Sequence, residues 1–374
     1  MTNPEKQLGL FTPPGVPTEG TAGDSSGARI GAVDPSEALR ALATAMPPEV
    51  YLGTSSWAFP GWADLVYARK ATETRLAREG LPAYAACPLH RTVGLDRAFY
   101  RPLPDVEYRE LAAQVPHHFR FLVKAWQGVT RPDADERGRT QGSTMHLAEH
   151  GRRNKRFLDA GQAIDLVIGP ALRGLGPKLG PVVFQFPPLD LKRSGPFGGA
   201  RGFLDQLERF AADIAAWLDG RVKTPVLIAY EVRNRELFDA AHGRRLGHLL
   251  RSANACHGFA HHPALPTVAS QRRTLEDAGY PLEEQPALVC RWLLRHSQTY
   301  TGAKAQYQPF NVLLDADVPA RAEIASAVRA ALARGATGGA GAWVIANNKA
   351  EGSAPITLRR LAAELTQDQS AANG

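Results

Sequence analysis

PVLIAYEVR, residues 225–233, is a continuous apolar run that ends in two opposite charges. An unbroken apolar run suits a strand of a parallel sheet that is covered on both faces. Side chains alternate along a strand, so Leu227, Ala229, Glu231 and Arg233 share one side. Seven further segments read the same way: 50–55 (VYLGTS), 91–97 (RTVGLDR), 119–125 (FRFLVKA), 182–186 (VVFQF), 256–260 (CHGFA), 287–293 (ALVCRWL) and 342–346 (AWVIA). They are short and rich in Val, Ile, Phe or Leu, as strands are.

Between these strands the apolar residues recur at helical spacing. The clearest case is 202–218, with Phe203, Leu207, Phe210, Ile214 and Trp217 on one face. Others cover 237–250 and 320–333. A last helix starts near Ser353, a suitable N-cap, with Pro355 in its first turn. Eight strands alternating with helices predict an α/β fold, a single-domain (β/α)8 TIM barrel over residues 35–366. Residues 1–34, rich in Gly, Pro, Thr and Ser, read as a flexible tail, and 367–374 as a frayed end. A doubly wound open sheet is the alternative, but no G-x-G-x-x-G follows an early strand, and GTSSW at 53–57 is not a P-loop. The connections 126–150, 187–201 and 294–318 are long. All leave the carboxyl ends of strands, where barrels build their sites.

Composition bounds the rest. Of 374 residues, 44% are hydrophobic and 22% charged, enough for a large core and typical of a globular chain. The net charge of +7 permits an anionic ligand, a phosphate ester or a nucleic acid, without requiring one. Three cysteines without a C-x-x-C spacing exclude a disulfide framework and a zinc ribbon. Cys256 and Cys290 read as core thiols. The N-terminus lacks a secretory h-region, and no apolar run reaches 18 residues. A cytoplasmic address and no membrane partner are therefore expected. No cofactor is indicated.

The interior of a barrel is filled by branched apolar side chains, so polar residues at the carboxyl ends of strands are the informative exceptions. In chain order they are Ser55 with Trp57, Asp96 with Tyr100, Lys124, Gln185, Glu231 with Arg233, Arg291 with His296, and Asn347. Glu231 reads either as a general acid or base tuned by neighbouring cations, or as an ion pair with Arg233 that closes the barrel top. Lys124 reads as a catalytic amine, activated by desolvation, or as an anion contact. Asp96 with Glu231 could form the carboxylate pair of glycoside hydrolysis. His261 and His262 are adjacent and so face opposite ways, which does not favour a metal centre. Trp57, Phe59, Trp62, Tyr67, Phe99, Tyr100 and Trp126 supply aromatic surface for stacking on a ligand or for packing loops.

An ordered series of these strand ends resembles the YecE-like family, domain of unknown function 72. The matching pieces are YLGTSSWAFPGW (51–62), DRAFYR (96–101), FRFLVKAW (119–126), LGPVVFQFPP (179–188), YEVRNRELF (230–238), CRWLLRH (290–296) and NNKAEGSAP (347–355). The resemblance covers about residues 50–365 and implies the TIM barrel and a strand-end site, but no reaction. Two departures from the family pattern are Gly94, where a Glu is usual, and Lys349 after the Asn pair.

Three functions follow from the site chemistry. The first is an enzyme of hydrolase, lyase or isomerase type, acting on a small anionic or polyhydroxylated substrate. Glu231 and Lys124 would be catalytic, and Trp57, Asp96, Tyr100, Gln185, Arg233, Arg291, His296 and Asn347 would bind substrate. The second is a barrel that binds or processes nucleic acid, with basic and aromatic residues tracking the backbone. The third is a barrel that binds a metabolite or partner without transforming it.

Overall fold

The computed structural model describes residues 29–133, 154–222, 225–333 and 341–372. Its centre is a closed barrel of parallel strands in the order β1 to β8. They are β1 (Val50–Thr54), β2 (Thr92–Leu95), β3 (Arg120–Lys124), β4 (Leu179–Gln185), β5 (Ile228–Glu231), β6 (Cys256–His261), β7 (Leu288–Trp292) and β8 (Ala342–Ala346). Each of the eight predicted segments overlaps one strand, although β4 begins at Leu179, before the expected 182, and β6 extends to His261. The ring closes through β1 and β8, in register from Val50 opposite Ala342 to Thr54 opposite Ala346.

Two cores result from the period-two alternation. Outward side chains such as Phe121, Val123, Phe184 and Tyr230 join the helices in one large core. The inward ones form a separate cluster that includes Leu122, Val183, Ala229, Val289, Trp343 and Ile345. At the bottom of the barrel, Trp343 stacks on Tyr51 with ring centroids 4.0 Å apart. Gly180 leaves room for that indole, because a Cβ there would come within 2.6 Å of it. One step further along each strand, two residues above the apolar layer, stand Lys124, Gln185, Glu231, Arg291 and Asn347. The alternation that fills the barrel with hydrocarbon thus delivers polar groups to its rim.

The helices follow the expected apolar faces. Ala200–Leu218 buries Phe203, Leu207, Phe210 and Ile214, with Phe210 edge-on to Phe184 at 5.2 Å. Two starts differ from expectation. The helix expected from 237 begins at Ala240, because the Asp239 carboxylate accepts from the backbone N–H groups of Ala241 and His242 and fixes the first turn there. The last helix starts at Ala354, but the Ser353 hydroxyl has no hydrogen-bond partner. The Ala354 N–H donates instead to Asn348 Oδ1, at 2.9 Å.

The folded body reaches into both segments read as tails. Ile30 is buried, Ala32 bridges Tyr67, and Val33 N–H donates to the Val66 carbonyl. The last helix continues to Ala372. Residues 1–28 and 134–153, the latter including most of the long connection after β3, lie outside the described residues. No described helix is long and apolar enough to cross a membrane. Cys256 and Cys290 are buried free thiols, as expected, and Cys87 is half-buried.

Gly258 on β6 lies against Glu231, where a Cβ would sit 2.8 Å from the Glu231 Cβ and 3.0 Å from its backbone. Gly258→Ala is expected to destabilise the fold by about 1–3 kcal/mol through overpacking. Urea unfolding measures this, and an unchanged midpoint would show that the layer beneath the rim tolerates an extra methyl group.

Candidate functional site

Glu231 ends β5 with no exposed surface at all. Its Oε1 accepts from Arg233 Nε at 2.8 Å and from Arg233 Nη2 at 2.7 Å. Its Oε2 accepts from Arg291 Nη1 at 2.8 Å, reaching across from β7. The same Nη1 donates to Gln185 Oε1, also at 2.8 Å, which ties in β4. One carboxylate therefore joins three strands of the ring. Burial alone pushes the Glu231 carboxyl up, but Arg291 and Arg233 overrule it and hold it down at about 2.

Above this pair the barrel mouth opens as a cavity of about 1110 Å³. Arg233, Arg291, Lys124, Gln185, Asn347, Trp57, Asp96 and Tyr100 all line it, so most residues predicted for the site converge there. Two do not. Glu231 lies behind the arginines and contributes nothing to the cavity wall. His296 is directed elsewhere: Nε2 lies 3.1 Å from the Leu265 carbonyl, and the ring sits edge-on to His261 at 4.4 Å.

The wall is strongly cationic. Arg97, Arg101, Lys124, Arg233, Arg291, Lys304 and Lys349 line it, against only Glu73 and Asp96. Arg233 is 3% exposed, and its Nη1 is buried with no hydrogen-bond partner among the described residues. A buried guanidinium N–H without an acceptor costs free energy, which an anionic oxygen would recover. Lys124 is 2% exposed, with Nζ 3.7 Å from the centroid of the Phe99 ring. Burial lowers its ammonium pKa to about 7, with Arg291 and Arg233 adding to the fall and Asp96 opposing it.

The outer wall was not predicted in full. Lys349 follows β8, and its Nζ lies 4.4 Å from the Tyr300 ring and 5.6 Å from that of Phe310. Tyr300 and Lys304 stand on a helix, Tyr300–Tyr307, inside the long connection after β7. That connection is fastened down: Tyr307 donates to Asp315, Arg295 pairs with Asp315, and Asp317 N–H donates to Glu351 at 2.7 Å. The family departure at Lys349 marked the residue, whereas nothing in the local sequence marked Tyr300 or Lys304.

The adjacent histidines take separate roles. His261 Nε2 lies 3.1 Å from Asp317. His262 Nδ1 accepts from Ala264 N–H, and burial and then Arg233 push its pKa down to about 3. Among the described residues, no three His, Cys, Asp or Glu side chains are grouped to hold a metal ion.

A family model described as protein of unknown function DUF72 matches residues 51–373. Among solved structures, the chain is similar to a DUF72 family protein of Thermotoga maritima at 18% identity, over 84% of this chain and 98% of that one, with a TM-score of 0.52. It is also similar to one of Enterococcus faecalis at 19% identity, over 84% of this chain and 95% of that one, with a TM-score of 0.50. At these identities the likeness concerns the fold. No curated protein matches the chain.

Removing the carboxylate charge leaves two buried guanidiniums facing each other. Glu231→Gln is expected to destabilise the fold by about 3–5 kcal/mol, the usual cost of breaking a buried pair from one side. Because the folded-state pKa is depressed, this stability is present above the ordinary glutamate value of 4.5 and is lost as pH falls towards about 2. Denaturant unfolding of wild type and variant between these limits checks it. The difference should shrink as pH falls, and a difference independent of pH would contradict the ion pair.

Proposed function

The chain belongs to the DUF72 family, and from that premise we propose that it is an enzyme whose barrel mouth binds a small anionic, polyhydroxylated substrate. The observation that carries this reading is the buried pair Arg233–Arg291 on Glu231. Two guanidiniums share one carboxylate, and both arginines line the cavity, so positive charge in excess of Glu231 is held at its wall. A phosphate, sulfate or carboxylate group is the natural complement.

In this reading Glu231 is an anchor. It is ionised across the neutral range, both oxygens already accept from guanidinium donors, and it does not reach the cavity. A group that trades protons near pH 7 must lose and regain one there. Lys124 meets that condition at about 7 and lines the same cavity. Lys124 is then the proton-transfer group, accepting a proton from the substrate as the neutral amine and returning it as the ammonium. Gln185 and Asn347 offer amide contacts to hydroxyl groups, and Trp57 and Tyr100 give the walls apolar area. Proton transfer within a bound anion, followed by elimination or isomerisation, is the chemistry this set serves best. A cavity of this size at the end of a barrel suits a small molecule better than a duplex.

Inorganic sulfate is a suitable probe because its own charge is constant over the neutral range. Wild-type protein is expected to bind sulfate more tightly below pH 7 than above it, since Lys124 gains its positive charge as pH falls through about 7. Arg291→Gln should weaken binding about tenfold or more, the loss of a charge-assisted hydrogen bond. Lys124→Met should flatten the pH dependence. Calorimetric titration checks all three, and unaltered binding by Arg291→Gln would remove the reading.

A further inference from the structure

The cavity carries a second cationic position, separate from the arginine pair. Lys349 is 8% exposed and lines the wall, yet among the described residues its ammonium makes no ion pair and no hydrogen bond, and rests on the rings of Tyr300 and Phe310. A lysine this buried ordinarily meets a carboxylate. Here the strongest neighbouring charge is another cation, Lys304, which lowers the Lys349 pKa further after burial has done so, while the more weakly felt Asp96 opposes it. Lys349 still titrates at about 8 and is mainly cationic at neutral pH.

The two cationic positions belong to different parts of the mouth. Arg233 and Arg291 come from β5 and β7 and sit on the floor formed by Glu231 and Gln185. Lys349 and Lys304 come from the connections that follow β8 and β7 and form the wall above it. Asp96, after β2, is felt electrostatically by Lys124 and Arg291 on the floor and by Lys349 on the wall. That carboxylate, within electrostatic reach of both positions, would accept hydrogen bonds from substrate hydroxyls.

We infer that the substrate carries two anionic groups joined by a hydroxylated spacer, one group held by Arg233 and Arg291 and the other by Lys349 with Lys304. This rests on the anion-binding reading of the arginine pair and adds the second group to it. Sugar bisphosphates have this chemistry, as do other polyols with an acidic group at each end.

The test is calorimetric titration of the full chain with fructose 6-phosphate and with fructose 1,6-bisphosphate. Wild type should bind the bisphosphate about tenfold or more tighter than the monophosphate, the gain of one further charge-assisted contact. Lys349→Gln should remove most of that gain while changing monophosphate affinity far less, and Lys304→Gln, at an exposed helical position, should remove part of it. Lys349→Arg, which keeps the charge, should retain the gain and stands in if the glutamine variant fails to fold. If wild type binds both sugars equally, the second position is refuted while the arginine pair stands. If wild type binds neither, the anion-binding reading fails and takes this inference with it.

Discussion

A carboxylate with no exposed surface holds two guanidiniums at the top of the barrel, and the rest of the site depends on that contact. Without the Glu231 charge, Arg233 and Arg291 would be two buried guanidiniums repelling each other. With it, both are held in place, and a residual positive charge is fixed beside the cavity. The arrangement also acts on Lys124, whose ammonium is disfavoured by burial and by the same two guanidiniums. Burial does most of this, and the Asp96 and Glu231 carboxylates oppose it, so the ion pair fixes the arginines while enclosure governs the protonation of the amine beside them. Buried ion pairs are rarely economical as stabilisers, so their presence at a strand end suits a binding role better than a purely structural one.

Much of this was readable in the sequence. The strands were legible because each is a short apolar run, and a parallel barrel buries both faces. The convergence of Lys124, Gln185, Arg291 and Asn347 was legible for the same reason: each stands two residues beyond an apolar inward position on its own strand. Once the ring closes, residues more than two hundred positions apart share a rim. The family resemblance and the matching family model agree on the fold and are equally silent on a reaction.

What the sequence hid was long-range. Glu231 read equally as a general acid or base and as an ion-pair partner of Arg233, and its second partner on β7 was not visible. Arg291 takes the other oxygen from sixty residues away and turns the group into an anchor. His296 was placed in the site because it follows β7 closely, but the chain turns after Trp292 and carries the imidazole to Leu265 and His261. Residues 29–34 looked like tail by composition, although Ile30 and Ala32 pack on the segment around Tyr67. Tyr300 and Lys304 lay in a long connection with no local pattern. The contacts of Asp315 and Asp317, and the packing of Ala303, Tyr307 and Phe310 against Leu265, Leu293 and Leu294, bring that helix over the mouth.

If the Glu231 carboxylate positions Arg233 and Arg291 to receive an anion, that anion can be seen beside them. A crystal structure of the protein grown with sulfate tests it most directly. A sulfate is expected in the barrel mouth, bonded to Arg291 and Arg233, with both guanidiniums still on Glu231. Sulfate bound only elsewhere on the surface, or either arginine swung away from Glu231, would contradict it.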